Sequence, residues 1–219
     1  MITFAKLKHL KDKEFKKLHK EVAEYHKKVD YFFDWSRQWE YPWILKNVQF
    51  NDKDIVLDIG GGLSHFPSLV ARRVKKVIVG DLYPERMFKP ESNNVKFLKM
   101  NALKTKSRKK YDIVMCISVL EHIDNYFKAI KNLTRLVKKN GYLVITLDLF
   151  LDNFRDCKKS DISKILKLFN DFDLGKIDLS EGKLYKKTTL QNMKLDLPNL
   201  YSRNYKDRTS LGIIIKKHE

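Results

Sequence analysis

The sequence predicts an α/β fold in which helices cover both faces of a doubly wound, mostly parallel β-sheet. Five short apolar runs between residues 54 and 149 alternate with helical stretches, and this order is typical of such a sheet. The runs consist largely of Val, Ile and Leu, which indicates strands that are buried on both faces. A glycine-rich turn directly after the first run predicts a ligand-binding edge on this sheet.

The composition limits what the chain can be. Hydrophobic residues make up 43% of its 219 residues and charged residues 33%, so the chain has enough apolar material for a folded core. No apolar run approaches the ~20 residues that cross a bilayer, and the first residues lack the apolar segment of a secretory signal. We therefore expect no membrane span and a cytoplasmic location. The two cysteines, Cys116 and Cys157, lack the paired spacing of a zinc site, so no metal is predicted.

The chain is strongly basic. With 45 lysines and arginines against 27 acidic residues, its formal net charge is +18, which favours attraction to phosphates and other anions. The lysines are spread over nearly every segment and are not gathered with aromatic residues, so a nucleic-acid partner is an alternative and not the leading prediction. The charge also allows an anionic small-molecule substrate as the partner, and the sequence does not determine the oligomeric state.

Residues 1–50 are predicted to form an N-terminal helical extension with an aromatic cap. Between residues 11 and 33 apolar side chains recur at steps of three and four, which is the spacing of one helix face. An aromatic cluster follows, in which Pro42 is expected to interrupt or bend the helix. The cluster consists of Tyr31, Phe32, Phe33, Trp35, Trp39, Tyr41 and Trp43, with Arg37 and Glu40 between them.

Residues 51–219 are predicted to form the sheet domain. The pair Asn140-Gly141 is expected to end the second of its helices, because Asn and Gly favour helix C-termini. Residues from about 151 to 210 are expected to form an irregular segment on the substrate side, with a helix at 161–170 and a last strand at 211–216. The other strands are expected at residues 55–59, 76–81, 95–100, 112–118 and 142–149, and the other helices at 66–74 and 126–139.

The sharpest functional pattern is VLDIGGG at residues 56–62. The first strand contains Asp58, and the glycines Gly60, Gly61 and Gly62 permit backbone angles that side chains forbid and let a ligand approach the main chain. Asp81 ends the next strand 23 residues after Asp58, close to the ~20-residue offset at which a carboxylate accepts ribose hydroxyls. Alone, the glycines would indicate a tight turn and the aspartate a helix cap, but their combined spacing favours nucleotide binding.

The glycine-rich turn does not match the two common phosphate-binding patterns, the dinucleotide-binding turn and the Walker loop. In GGGLSHF, His65 stands where a dinucleotide-binding turn needs a small residue, and no Gly-Lys-Ser/Thr follows as in a Walker loop. Over residues 54–149 the sequence resembles the class I S-adenosylmethionine-dependent methyltransferases, in particular their small-molecule group. The matching segments are VLDIGGG, GDLYP, MNALK, YDIVMCISVLEHI and LVKKNGYLVITL. The resemblance implies a Rossmann-like fold and S-adenosyl-L-methionine as cofactor.

The same resemblance implies roles for the residues at the strand ends. Asp58 and the backbone of Gly60, Gly61 and Gly62 would hold the methionine part of the cofactor, and Asp81 would bind its ribose hydroxyls. The residues expected to flank or border the adenine are Leu82, Asn101 and Ala102. Asn101 stands where many relatives have aspartate, which keeps an acceptor oxygen and removes a charge.

The fourth strand and the aromatic cap supply the remaining candidates. Ser118 is expected beside the cofactor, and Arg37 can pair with the carboxylate of the cofactor or of an anionic substrate. In relatives with this SVLEH pattern the Glu-His pair lies near the methyl group, so His122 is the candidate base that takes a proton from the acceptor. Glu121 would orient it; alternatively, both residues are structural parts of the cofactor pocket.

The expected activity is therefore O- or N-methyl transfer from S-adenosylmethionine to a small polar metabolite, such as a sugar or a nucleotide-linked sugar. An RNA methyltransferase acting on tRNA or rRNA is the alternative that the basic charge favours. A non-catalytic cofactor-binding protein is the third hypothesis. Methylation of DNA adenine is disfavoured, because no Asn/Asp-Pro-Pro-Tyr/Phe element follows the fourth strand.

Overall fold

The computed structural model describes residues 1–29, 35–84, 90, 92–105, 108–150, 158–180, 184 and 208–219. Three aromatic residues of the predicted cap (Tyr31, Phe32 and Phe33), Cys157 and most of the segment predicted to be irregular lie outside these ranges. Within the ranges, no helix combines the length and the apolar character that crossing a membrane requires.

Nine strands, counted over the described residues, form one β-sheet. They are β1 (Ile2–Phe4), β2 (Ile55–Ile59), β3 (Lys76–Asp81), β4 (Val95–Lys99), β5 (Tyr111–Ile117), β6 (Val137–Phe150), β7 (Phe172–Asp173), β8 (Ile177–Asp178) and β9 (Arg208–Lys217). The order β4-β3-β2-β5-β6 is parallel throughout. This confirms the predicted doubly wound, mostly parallel sheet, and β2 and β3 have the predicted bounds.

Helices cover both faces of this sheet. They are α1 (Lys13–Lys28), α2 (Trp35–Asn47), α3 (Phe66–Ala71), α4 (Tyr126–Leu136) and α5 (Ile162–Leu166). On one face, α4 and α5 pack in a core that includes Leu57 and Val114. On the other, α1, α2 and α3 share a core with Val56 and Ile113. Successive residues of a strand point to opposite faces, so the unbroken apolar runs bury both sides.

Antiparallel strands extend the sheet beyond β6. β9 pairs with β6 from Tyr142↔Lys216 to Phe150↔Arg208, and β1 pairs with β9 from Ile2↔Ile213 to Phe4↔Leu211. The sequence predicts β9 but not β1, because three residues are too few to show the alternation of a strand. Residues 1–50 therefore add a strand to the sheet as well as helices, and the domain boundary at residue 50 stays a prediction.

Of the two expectations for Pro42, the interruption of a helix is wrong, and the bend stays a prediction. The carboxylate of Asp12 caps α1 by accepting a hydrogen bond from the Phe15 N–H at 2.8 Å. α2 then runs through Pro42, although proline inside a helix removes a hydrogen bond and costs about 3 kcal/mol. Pro42 does not end the helix, because the side chains of Trp39 and Trp43 on either side of it are buried in the core and hold the helix on the sheet.

The prediction that Asn140-Gly141 ends the helix α4 is wrong. α4 ends at Leu136 and β6 begins at the next residue, so Asn140 and Gly141 lie within a strand and do not end a helix. Asn140 has a φ of 60°, and the pairing of β5 with β6 is irregular in this region. A left-handed backbone suits a helix C-terminus and a strand irregularity alike, so the Asn-Gly pair by itself does not distinguish them.

Candidate functional site

The glycine turn after β2 lies against the neighbouring strand. Gly60 has a φ of 75°, and its N–H donates a hydrogen bond to the Gly80 carbonyl at 2.7 Å. A Cβ at Gly61 would lie 2.6 Å from Val79 Cγ1 and 2.8 Å from Asp58 Oδ2. A side chain at either position would strain or obstruct the turn, so the glycines are required for its geometry.

Asp81, at the end of β3, is joined directly to this turn. Its Oδ2 accepts a hydrogen bond from the Gly62 N–H at 3.2 Å, and its Oδ1 accepts one from the Tyr83 N–H at 3.1 Å. The structure therefore brings together the glycine turn and the carboxylate that the sequence places 23 residues after Asp58.

A cavity of about 430 Å³ opens at the carboxyl ends of the parallel strands, where open α/β sheets bind ligands. Seven of the predicted site residues line it: Gly60, Asp81, Leu82, Asn101, Ala102, Ser118 and His122. The other lining residues are Ile59, Gly80, Met100, Leu103, Val119, Ile123 and Asp124. Five predicted residues are not part of this lining, namely Arg37, Asp58, Gly61, Gly62 and Glu121.

The residues predicted to border an adenine form one wall of the cavity. Asn101 Oδ1 accepts a hydrogen bond from the Leu103 N–H at 2.8 Å, which fixes the side chain and uses one lone pair of the oxygen. The Ala102 carbonyl accepts a hydrogen bond from Asn132 Nδ2 at 2.8 Å. Leu82 is 45% exposed, so its side chain is open to contact with a ligand.

Asp58 lies beneath the glycine turn with its carboxyl group buried. Its Oδ1 has no hydrogen-bond partner among the described residues. Burial raises the pKa of Asp58 to about 7; the positive charge of Arg37 opposes this shift and the negative charge of Asp81 adds to it. A buried carboxyl oxygen without a partner, beside backbone that only glycine can form, fits the ammonium-bearing end of S-adenosylmethionine.

Arg37 approaches this region from α2. Its Nη1 donates a hydrogen bond to Glu40 Oε2 at 2.6 Å, and its guanidinium carbon lies 5.8 Å from the centre of the Tyr41 ring. Glu40 Oε1 in turn accepts a hydrogen bond from Ser118 Oγ at 2.6 Å. Sequence reasoning placed Glu40 only among the aromatic residues; a carboxylate inside such an apolar cluster is the signal that could have identified it.

The segment after β5 places Glu121 and His122 on a single turn of 3-10 helix, Leu120–His122. His122 is exposed and lines the cavity. Glu121 Oε1 accepts a hydrogen bond from the Asp148 N–H at 3.3 Å, and its buried Oε2 is without a partner in the described part of the chain. Burial raises the pKa of Glu121 to about 8, and the nearby negative charge of Asp148 adds to the shift.

The sequence of this chain matches the model of a known protein family. A family model described as a methyltransferase domain matches residues 16–207. Among curated proteins, the ubiquinone biosynthesis O-methyltransferase of Rickettsia canadensis (strain McKiel) is 29% identical over 115 residues, which cover 48% of this chain and 48% of that protein. The chain thus spans about half the length of the curated relatives it matches.

Two of the solved structures with a similar fold serve as examples. The YcgJ protein of Bacillus subtilis has a TM-score of 0.59 and 16% identity over 81% of this chain and 97% of its own. The N-methyltransferase NodS of Bradyrhizobium japonicum WM9, crystallised with S-adenosyl-L-homocysteine, has a TM-score of 0.55 and 14% identity over 95% of this chain and 100% of its own. At these identities the likeness concerns the fold alone. Because the family model extends from residue 16 to residue 207, and so over most of the chain, the chain belongs to the class I S-adenosylmethionine-dependent methyltransferases.

Proposed function

We propose that this protein transfers a methyl group from S-adenosyl-L-methionine to an oxygen or nitrogen atom of a small polar metabolite. The observation that supports it most is the hydrogen bond between the Gly62 N–H and Asp81 at the edge of the 430 Å³ cavity. The cofactor, when bound, supplies a methyl group already activated on a positively charged sulfur. The protein then needs mainly to hold the two reactants in line and to accept a proton.

The cofactor would be held by residues in or just after three neighbouring strands and by Arg37 of α2. The unpartnered oxygen of Asp58 and the glycine backbone would receive the methionine end, and Arg37 would pair with its carboxylate. Asp81 would accept hydrogen bonds from the ribose hydroxyls. Leu82, Asn101 and Ala102 would form the adenine wall, since all three line the cavity.

His122 is the proposed base. It is exposed to the cavity, and imidazole can accept a proton near neutral pH. Glu121 is a weaker candidate, because its carboxyl group is directed towards the backbone of Asp148. Burial and the negative charge of Asp148 raise the pKa of Glu121, which favours its protonated form. Its proposed role is to support the turn that presents His122.

The acceptor is proposed to be a hydroxyl group on a polar or anionic molecule, with a sugar or nucleotide-linked sugar as the substrate class. The names of the curated relatives describe O-methyltransferases, which favours oxygen over nitrogen. The net charge of +18 favours an anionic substrate.

The test is methyl transfer from radiolabelled S-adenosylmethionine to a panel of sugars, nucleotide sugars and phenolic acids. We expect His122→Ala to lower kcat by 10²–10⁴-fold, the range of general base catalysis, with S-adenosylhomocysteine affinity within about twofold of wild type. His218→Ala, at an exposed position near the C-terminus, is the matched control. Unchanged turnover in His122→Ala would exclude the base assignment, and tight cofactor binding without turnover on any acceptor would favour a non-catalytic binding protein.

An RNA substrate is the second candidate, because exposed basic residues lie close to the adenine wall along the chain. Lys99 and Lys104 flank Asn101, and Arg108, Lys109 and Lys110 are also exposed. Such a group would bind phosphates with strong salt dependence. Methyl incorporation into tRNA that falls steeply between 50 and 200 mM salt would support this candidate over the small-molecule one.

A further inference from the structure

The buried carboxylate of Glu40 joins α2 to the edge of the cofactor cavity. Glu40 is 0% exposed. Its Oε2 accepts a hydrogen bond from Arg37 Nη1, and its Oε1 accepts one from Ser118 Oγ, each at 2.6 Å. Since both oxygens have protein partners, Glu40 is placed to hold its neighbours and not to touch a ligand.

Ser118 is in a strained conformation. Its φ is 47°, in a region that residues with a side chain rarely adopt, and its N–H donates a hydrogen bond to the Thr146 carbonyl at 2.9 Å. Such a conformation persists only where the surrounding structure determines it. The hydrogen bond to Glu40 is therefore one of the contacts that direct the chain from Ser118 towards His122 along the cavity.

Arg37 has several carboxyl groups within electrostatic reach. Its charge acts on Asp58 and on Glu121, and 25% of its side chain is exposed. The ion pair with Glu40, three residues away on the same helix, holds one side of the guanidinium. That pair uses one of the five N–H donors of arginine.

We infer that Glu40 is a positioning residue: it holds the Arg37 guanidinium where it can take the carboxylate of the methionine part of S-adenosylmethionine, and it holds Ser118 at the cavity wall. This inference rests on the proposed function, because it assigns that carboxylate to Arg37. Glu40 acts through its two partners, which come from an N-terminal helix and from the end of a central strand, so it couples α2 to the cofactor site.

The binding of two ligands distinguishes the positioning role of Glu40 from a general contribution of Glu40 to folding. S-Adenosylhomocysteine has the amino-acid end that Arg37 would hold, and 5′-methylthioadenosine lacks it. Glu40→Gln keeps the size of the side chain but removes its charge and places an NH₂ group against one of two donors. We expect this variant to weaken S-adenosylhomocysteine binding about tenfold or more in calorimetry and to change methylthioadenosine binding less than twofold. Glu24→Gln, on the exposed part of α1, is the control.

Ser118→Ala is the second variant, because it keeps the pair of Arg37 and Glu40. Because it removes the hydrogen bond that holds Glu40 Oε1, it should weaken S-adenosylhomocysteine binding three- to tenfold. Ser118 also lines the cavity, so methylthioadenosine binding is expected to weaken by a clearly smaller factor. This variant tests the positioning role if Glu40→Gln does not fold. Equal losses for both ligands, or no loss for either, would overturn the positioning role alone. A wild-type protein that binds neither ligand would overturn the proposed function and this inference together.

Discussion

Asp58 and Asp81 are carried by neighbouring strands, but their carboxyl groups have different surroundings. Both oxygens of Asp81 accept backbone hydrogen bonds at the edge of the cavity. Asp58 is buried and has one oxygen with no partner in the described ranges. Asp81 also lines the cavity, and each of its oxygens keeps a lone pair beside its backbone hydrogen bond, which supports the proposal that it binds the ligand. For Asp58, a positive charge bound nearby would favour the ionised form.

Replacement of Asp81 tests the ribose assignment. Asp81→Ala removes the acceptors for the Gly62 N–H and for ribose hydroxyls, so the Kd of S-adenosylhomocysteine should rise about tenfold or more, which is ~1.4 kcal/mol. Asp81→Asn keeps one acceptor oxygen and should lose less. Asp52→Ala, in the exposed turn before β2, is the control, and unchanged calorimetric affinity in Asp81→Ala would contradict the assignment.

The raised pKa of Asp58 predicts how stability depends on pH. Burial raises this pKa to about 7 in the folded chain from an ordinary value of 3.8, so between these values the folded state binds the proton more tightly than the unfolded state. Its contribution to the free energy of unfolding should therefore fall as pH rises from about 4 to about 7.

Urea unfolding of wild type and of Asp58→Asn across this pH range measures the effect. We expect a flatter pH dependence in the variant, because the amide that replaces the carboxyl group does not titrate. Parallel curves for the two proteins would show that Asp58 does not have the raised pKa.

At the scale of elements, α2 determines how the N-terminal region meets the sheet. The rings of Trp39 and Trp43 stack with 4.9 Å between their centres and lie over Gly212 of β9. A Cβ at Gly212 would approach Trp43 to within 2.6 Å. This close packing of a helix on a strand also explains why α2 continues through Pro42, since the buried aromatic contacts outweigh one lost hydrogen bond.

Gly212→Ala tests that packing. The added methyl group must displace a buried indole, so the free energy of unfolding should fall by about 1–3 kcal/mol. Lys216→Ala, at an exposed position of the same strand, should change it by less than about 0.5 kcal/mol. Chemical denaturation followed by tryptophan fluorescence measures both, and equal stability of Gly212→Ala and wild type would show that α2 does not pack closely on β9.

At the scale of the whole molecule, the net charge of +18 opposes a compact state by self-repulsion. Salt screens this repulsion, with a Debye length that falls to ~10 Å at 0.1 M. The Tm should therefore rise as NaCl increases from 20 to 300 mM at pH 7. At a pH near the isoelectric point of about 9.7 the rise should vanish, and a Tm that falls with salt at pH 7 would contradict the argument.

The sequence alone determined the fold class, the central strands and the family. The reason is that these features depend on local patterns: unbroken apolar runs such as residues 55–59, and glycines followed at a set distance by Asp81. It also placed Asn101, Ser118 and His122 at strand ends, and the structure shows that all three line one cavity.

Only the tertiary structure decided those features that depend on contacts between residues far apart in the sequence. β1 is too short to have a pattern of its own and is fixed by pairing with β9. Asn140 is compatible locally with a helix end or a strand irregularity, and pairing with β5 selects the strand. Glu40 has one partner on its own helix and another 78 residues away. Contacts over such distances leave no periodicity in the sequence, because the energy that selects them comes from burial and hydrogen bonding in the folded chain.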